Sequence, residues 1–163
     1  VPLPGPKVPR YERFQFGTLM AVGTLVGFAL AAFVLIVVVS PATRSAVPWL
    51  PWVLLAVLAG AFLLVGWMRV RVDDSVVRAV MGIGLLRRTV ELADIRKADV
   101  VRTRVWWGWG VHLTPAGWLY NVGGRWAVRL ELVSERALMI GSADPGGLHD
   151  AIEAARAAAT RPR

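Results

Sequence analysis

Cysteine is absent from this 163-residue chain, so it holds no disulfide framework, no thiolate nucleophile and no cysteine-based zinc set. Histidine is nearly absent. His112 and His149 are the only two, no H-E-x-x-H spacing occurs, and each reads as a solvated or hydrogen-bonded side chain. Nucleotide-binding fingerprints are missing as well. "MGIGLL" and "VGGRW" contain glycines but match neither G-x-x-x-x-G-K-S/T nor G-x-G-x-x-G, and they read as hairpin turns. The serines Ser40, Ser45, Ser75, Ser134 and Ser142 lack a G-x-S-x-G context. Asp73 and Asp74 are adjacent and would point apart in a strand, so they make a turn and not a carboxylate dyad. These absences remove the standard signatures of catalysis, and the expectation is a non-enzyme with no catalytic residue, no cofactor and no metal.

Charge is missing from two long stretches. Phe16 to Val39 holds no charged residue, and neither does Val47 to Met68. Each exceeds the roughly 18 to 20 apolar residues that mark a membrane-spanning helix, so the pattern predicts a transmembrane helical hairpin over 16–68. A signal peptide is the competing reading of the first run, because Lys7, Arg10 and Arg13 precede it. The run is too long for that, and no small-x-small cleavage site follows before the second run begins. No Asp, Glu, Lys, Arg or His lies inside either run, which removes the usual sign of a proton relay or ion path.

The formal charge of +8 divides unevenly: +2 before Phe16, +1 at Arg44 in the connector, and +5 from Arg69 onward. The positive-inside rule then predicts a two-pass protein of the plasma (inner) membrane, with both termini cytoplasmic and the Ser40–Ala46 connector outside. Trp49 and Trp52 at the start of the second run and Trp67 at its end read as interface anchors. Pro48 and Pro51 fall in the first turns, where a missing amide donor costs least. Gly23, Gly27 and Ala31 form a small-residue face, matched by Ala56 and Gly60 in the second run. Such faces let backbones approach closely in lipid, either within the hairpin or against another subunit.

From Arg69 the chain changes character. "RWAVRLEL" places Trp126, Val128, Leu130 and Leu132 on one face and Arg125, Ala127, Arg129 and Glu131 on the other, as in a strand with one buried side. "RVRV", "SVVRAV", "LRRTVEL", "DVVRTR", "WLYNV" and "ALMI" read alike. A helix closes the chain, with Asp144 as N-cap, Pro145 in its first turn, and Leu148, Ile152, Ala155 and Ala159 at helical spacing. The predicted architecture is a membrane α-helical hairpin followed by a mostly antiparallel barrel or sandwich of about seven strands and one C-terminal helix. Its parts are a Pro-rich basic tail (1–15), the hairpin (16–68), the β domain with its helix (69–159) and a short tail (160–163). The N-terminal "VPLPGPKVPR" is expected to be held by a partner or by the β domain.

The stretch "VWWGWGVHLT" sets Trp106, Trp107 and Trp109 beside Gly108 and Gly110. Read as one strand, it sends Trp107, Trp109, Val111 and Leu113 to the apolar face and Trp106 to the other. Glycine in a strand marks a bend or a close approach, and Trp118, across the "TPAG" turn, is the expected visitor. Trp106 is then the candidate partner surface.

"GWGVHLTPAGWLYNV", "VELADIRKADV" and "LMIGSADPGGLHDAI", in a chain with a membrane hairpin ahead of the strands, resemble the bacterial pleckstrin-homology-like small membrane proteins of actinobacterial type. That resemblance implies a membrane-tethered PH-like barrel without assigned function. Inositol-lipid binding does not follow from it, because Asp73 and Asp74 occupy the first turn, where such domains carry basic residues. The expected function is a non-catalytic accessory or assembly subunit that docks its cytoplasmic PH-like domain on a larger membrane complex. The alternative is a membrane-tethered lipid-headgroup or small-ligand module, with Arg10, Arg13, Arg69 and Arg71 against anionic lipid. Expected partners are membrane lipid and other integral membrane subunits, with a homo-oligomer open and nucleic acid excluded.

Overall fold

The first element of the chain is a strand, although the sequence pattern leads straight from tail to helix. The computed structural model describes residues 10–39, 41–104, 110–133 and 136–160. β1 (Tyr11–Phe16) runs into α1 (Thr18–Phe33), whose last turn widens into a π-helical segment at Val34–Val38. The connector forms a short helix, α2 (Pro41–Ala46), and α3 (Leu50–Val65) returns. β2 (Trp67–Val72) then pairs antiparallel with β1, with Tyr11 opposite Val72 and Phe16 opposite Trp67. Two apolar helices are thus inserted between neighbouring strands of one sheet.

The expectation of two spanning helices is met by one. Thr18–Val37 is a continuous apolar helix of 20 residues, long enough to cross a membrane and with none of its length buried. α3 has 16 residues, about 24 Å at 1.5 Å per residue against a hydrocarbon core of about 30 Å. It is shorter than the uncharged run that contains it for two local reasons. Val47–Trp49 form a turn closed by the Leu50 N–H on the Val47 carbonyl. At the other end Gly66 turns the chain, and Trp67 and Met68 are drawn into strand register opposite Phe16 and Gln15.

β1 also moves the expected boundaries, since residues 11–15 belong to the sheet and not to a tail. β3 (Val76–Met81) and β4 (Leu86–Glu91) complete a four-stranded sheet in the order β1-β2-β3-β4. A 3-10 turn at Leu92–Asp94 leads into β5 (Ile95–Arg102). The second sheet contains β6 (Gly110–Thr114), β7 (Gly117–Asn121), β8 (Trp126–Leu132) and β9 (Leu138–Gly141), in the order β5-β8-β9-β7-β6. Its pairings are antiparallel apart from β7 with β9. The fold is therefore mostly antiparallel, with nine strands among the described residues.

The core lies between the sheets and is closed by α4 (Pro145–Thr160). Met68, Val70 and Val72 of β2, Val128 and Leu130 of β8, and Leu148, Ile152 and Ala155 of α4 are buried in one cluster. Each fully buried Val, Leu, Ile or Met side chain contributes about 1.5–3 kcal/mol relative to exposure. Asp144 caps α4, its Oδ1 accepting from the Gly147 N–H at 3.0 Å. In α4 and β8 two expected core positions differ. Ala159 is exposed because it lies beyond the part of α4 that covers the sheets, and Trp126, the first residue of β8, is 48 % exposed.

Candidate functional site at the helix–sheet junction

Several chain segments converge where the apolar helices meet the sheets. Gly17 links β1 to α1, and its N–H donates to the Gly66 carbonyl at 2.8 Å. A Cβ at position 17 would sit 2.6 Å from the Val122 carbonyl oxygen and 2.9 Å from that of Gly66. The β3–β4 turn docks on the end of α3, with the Ile83 N–H donating to the Leu63 carbonyl at 3.0 Å and the Gly82 N–H to that of Trp67 at 2.8 Å. The last four carbonyls of a helix have no partner within it, so through Ile83 this turn supplies one donor that α3 lacks. Gly82 has φ +50, and a Cβ there would overlap the Leu63 and Leu64 carbonyls. Phe16, Phe62 and Trp67 form an edge-to-face row at the same level, with ring centroids 5.8 and 6.0 Å apart.

β1 is held from the other side as well. Gln15 is buried; its Nε2 donates to the Gly141 carbonyl at 3.1 Å, and its Oε1 accepts from the Ala143 N–H at 2.8 Å. Arg13 Nη1 reaches Asp144 Oδ2 at 3.1 Å, and Arg10 Nε reaches Asp74 Oδ1 at 2.7 Å. Burial raises the Tyr11 hydroxyl above the ordinary tyrosine pKa, while Ser142 and Arg13 work in the other direction and Asp144 reinforces the rise. The strand that feeds the membrane-length helix is thus bonded to both sheets.

The structure scatters the predicted site residues. Gly27 faces α3, with 3.9 Å between a built Cβ and a Leu58 methyl, whereas Gly23 and Gly60 meet nothing within 4 Å. Ala56 is exposed, and Ala31 lines apolar grooves between α1 and α3 near the connector, one of them about 390 Å³. Trp49 and Trp52 are exposed, and Trp67 is half-buried as the first residue of β2. Of the four arginines expected against lipid, Arg10, Arg13 and Arg71 are each held by an aspartate, Arg71 by Asp73 at 2.8 Å. Arg69 lies 3.7 Å from Glu12 and is the most exposed of the four. The expected turn at Asp73 and Asp74 is present, closed by the Asp73 N–H on the Val76 carbonyl.

Trp106, Trp107 and Trp109 lie outside the described residues, as do residues 1–9 of the N-terminal tail. At Gly110 the described part of this strand differs from the expected approach of Trp118. Trp118 stands opposite Leu113 in register, on the face away from Gly110, and is 42 % exposed. Gly110 has φ +102 and lies against Val65 of α3, so a positive φ, not a visiting ring, calls for glycine there. Leu113, expected in the core, is exposed.

No family model, curated protein or solved structure matches this chain. Among the described residues, no three His, Asp or Glu side chains come together to hold a metal. His149 pairs with its neighbour Asp150, Nδ1 to Oδ1 at 3.1 Å. The residues that sequence reasoning missed are Gln15, Gly17, Gly66 and Gly82. A signal existed for two of them, because Gly17 and Gly66 mark the points where "FQF" enters and "WMRV" leaves the long apolar stretch.

Proposed function

We propose that the protein is a membrane-anchored, non-catalytic docking subunit: α1 and α3 cross the bilayer together as a hairpin, and the β domain rests on one side to receive other membrane subunits. The observation that carries this reading is the pairing of β1 with β2. Phe16 and Trp67 are cross-strand neighbours, so the chain that leaves through α1 must come back to the side it left. α3 is the apolar return segment, and its shortfall in length is within what tilt, local thinning and tryptophan anchors absorb. Neither helix contains a buried residue, an apolar area far beyond what a soluble surface carries. The positive-inside rule puts the β domain in the cytoplasm.

The docking part of the reading rests on the small-residue positions. Gly23 and Gly60 are unused within the chain, and helix association in lipid relies on such positions. Purifying the full chain in mild detergent tests it. Integral membrane subunits recovered in fixed stoichiometry support the reading. A lone chain carrying bound lipid overturns the docking part in favour of a lipid-headgroup module. A reporter fused after Arg163 tests the side: activity outside the cytoplasm would reverse the topology.

A further inference from the structure

The outer face of the first sheet is graded from apolar to charged with distance from the helices. Residues directly opposite in an antiparallel sheet share a face, and the register gives the rows. Nearest the helices stand Phe16 and Trp67; next come Phe14, Arg69, Val80 and Arg87; farther away come Glu12, Arg71, Arg78 and Thr89. Phe14 and Phe16 are 55 % and 51 % exposed, and in the β3–β4 turn Ile83 and Leu85 are 60 % and 72 % exposed. Phe14, Arg69 and Ile83 line one depression of about 260 Å³.

The depth of this surface follows from the backbone. The Ile83 N–H is bonded to the carbonyl of Leu63, inside the last turn of α3, so the turn lies beside the end of an apolar helix and not below it. Large apolar side chains at that level, with the first arginines in the next row beside Phe14, match the order of layers at a membrane surface, acyl boundary first and phosphate next.

We infer that the β3–β4 turn and the adjoining outer face of the first sheet form a bilayer-seated surface. Ile83, Leu85, Phe14 and Phe16 enter the headgroup–acyl boundary of the leaflet around α1 and α3, and Arg69 and Arg87 lie against its phosphates. This deepens the proposed function and rests on its membrane anchoring. The occupant is the anionic bilayer itself, on grounds of continuity with the apolar helices and of charge.

The natural lack of cysteine allows a direct test in the full chain. Single variants Ile83→Cys, Leu85→Cys, Val26→Cys on α1 and Thr89→Cys on the far row are labelled with an environment-sensitive fluorophore. They are reconstituted into phosphatidylcholine vesicles containing about one-third phosphatidylglycerol, an anionic surface of physiological type. Lipid carrying a spin label near the glycerol end of its acyl chain is the quencher. The expected result is a blue-shifted label and loss of emission at 26, 83 and 85, with emission retained at 89. Quenching at 26 but not at 83 and 85 overturns the inference while anchoring stands, and it assigns the face to a protein partner. No quenching at any position sinks the anchoring itself. Arg69→Gln with Arg87→Gln should weaken quenching at 83 when phosphatidylglycerol is present and leave it unchanged in phosphatidylcholine alone. Equal quenching in both lipids removes the arginines from the surface.

Discussion

At Gly23 and Gly60 an added methyl would meet nothing within 4 Å, and at Gly27 it would make ordinary contact with Leu58; at Gly17 and Gly82 it would run into main-chain oxygens. The first group carries the familiar G-x-x-x-G spacing of membrane helices, and the second carries no motif. Where tight packing occurs is set by chain geometry. Helix against helix leaves slack within this chain, whereas the junction brings two helix ends, two turns and a strand pair to one place. The glycines that let backbone approach backbone are therefore needed at the junction, and of the motif glycines Gly23 and Gly60 make no close approach within the chain.

The largest effect that sharpens this contrast is expected from Gly82→Ala. It forces an alanine into φ +50 and against the Leu63 and Leu64 carbonyls, a combination of strain and overpacking that costs about 2–4 kcal/mol. Gly84→Ala is the control. Its φ is +93 but its nearest neighbour is a Val80 methyl at 3.7 Å, so it should cost only the strain, about 1–3 kcal/mol and less than its partner. Thermal unfolding in detergent measures both, and equal losses would remove the close approach from the explanation. Gln15→Leu comes next. It leaves the Gly141 carbonyl and the Ala143 amide without their side-chain partner, at about 2–3 kcal/mol, and hydrogen exchange should quicken in β1.

Much of the β domain was legible because its strands alternate. In β2, Met68, Val70 and Val72 are buried while Arg69 is exposed, and "WMRVRV" carries that order on its surface. β1 was not legible for the same physical reason. The positions in register with the buried residues of β2 are Tyr11, Arg13 and Gln15; Arg13 and Gln15 are held by hydrogen bonds that only the tertiary fold provides. The run from Val47 to Met68 reads as one helix because hydropathy does not register that Trp67 and Met68 have strand partners more than fifty residues earlier. Arg10 and Arg13 were visible as charge, but their partners Asp74 and Asp144 lie far away in sequence. Asp144, which binds Arg13, is also the cap of α4. The junction as a site was the least legible feature, since its contacts are largely made by main-chain atoms, which sequence does not distinguish.

Gly27→Leu tests the helix side of the comparison. A leucine there would push against Leu58 across a contact already at 3.9 Å, costing about 1–2 kcal/mol. Disulfide trapping between cysteines introduced into α1 and α3 should fall, and unchanged trapping would show that the helices are not packed through this position. A smaller effect, confined to alkaline pH, is expected from Tyr11→Phe. Tyr11 ionises above 10.0 in the fold because burial disfavours its anion. Its contribution is therefore complete below that pH and is lost as pH rises through the raised value. The variant should show a shallower fall in stability above pH 10.0 than the parent. Identical profiles would mean that β1 opens before Tyr11 ionises.

The smallest effect belongs to Gly23→Ala, and its smallness makes it informative. The added methyl meets no atom of the chain within 4 Å, so no overpacking cost arises. Alanine is the better helix former by about 1 kcal/mol in water, and this advantage shrinks in lipid, where unsatisfied backbone groups already enforce the helix. The purified lone chain should therefore unfold at the same temperature as the parent or slightly above it. In the assembled state the same methyl would stand between this helix and any neighbour seated on Gly23, and recovery of that neighbour should fall although the chain itself is intact. Loss of lone-chain stability as large as that of Gly27→Leu would mean that α1 and α3 pack through Gly23, and the division between slack helices and a tight junction would have to be abandoned.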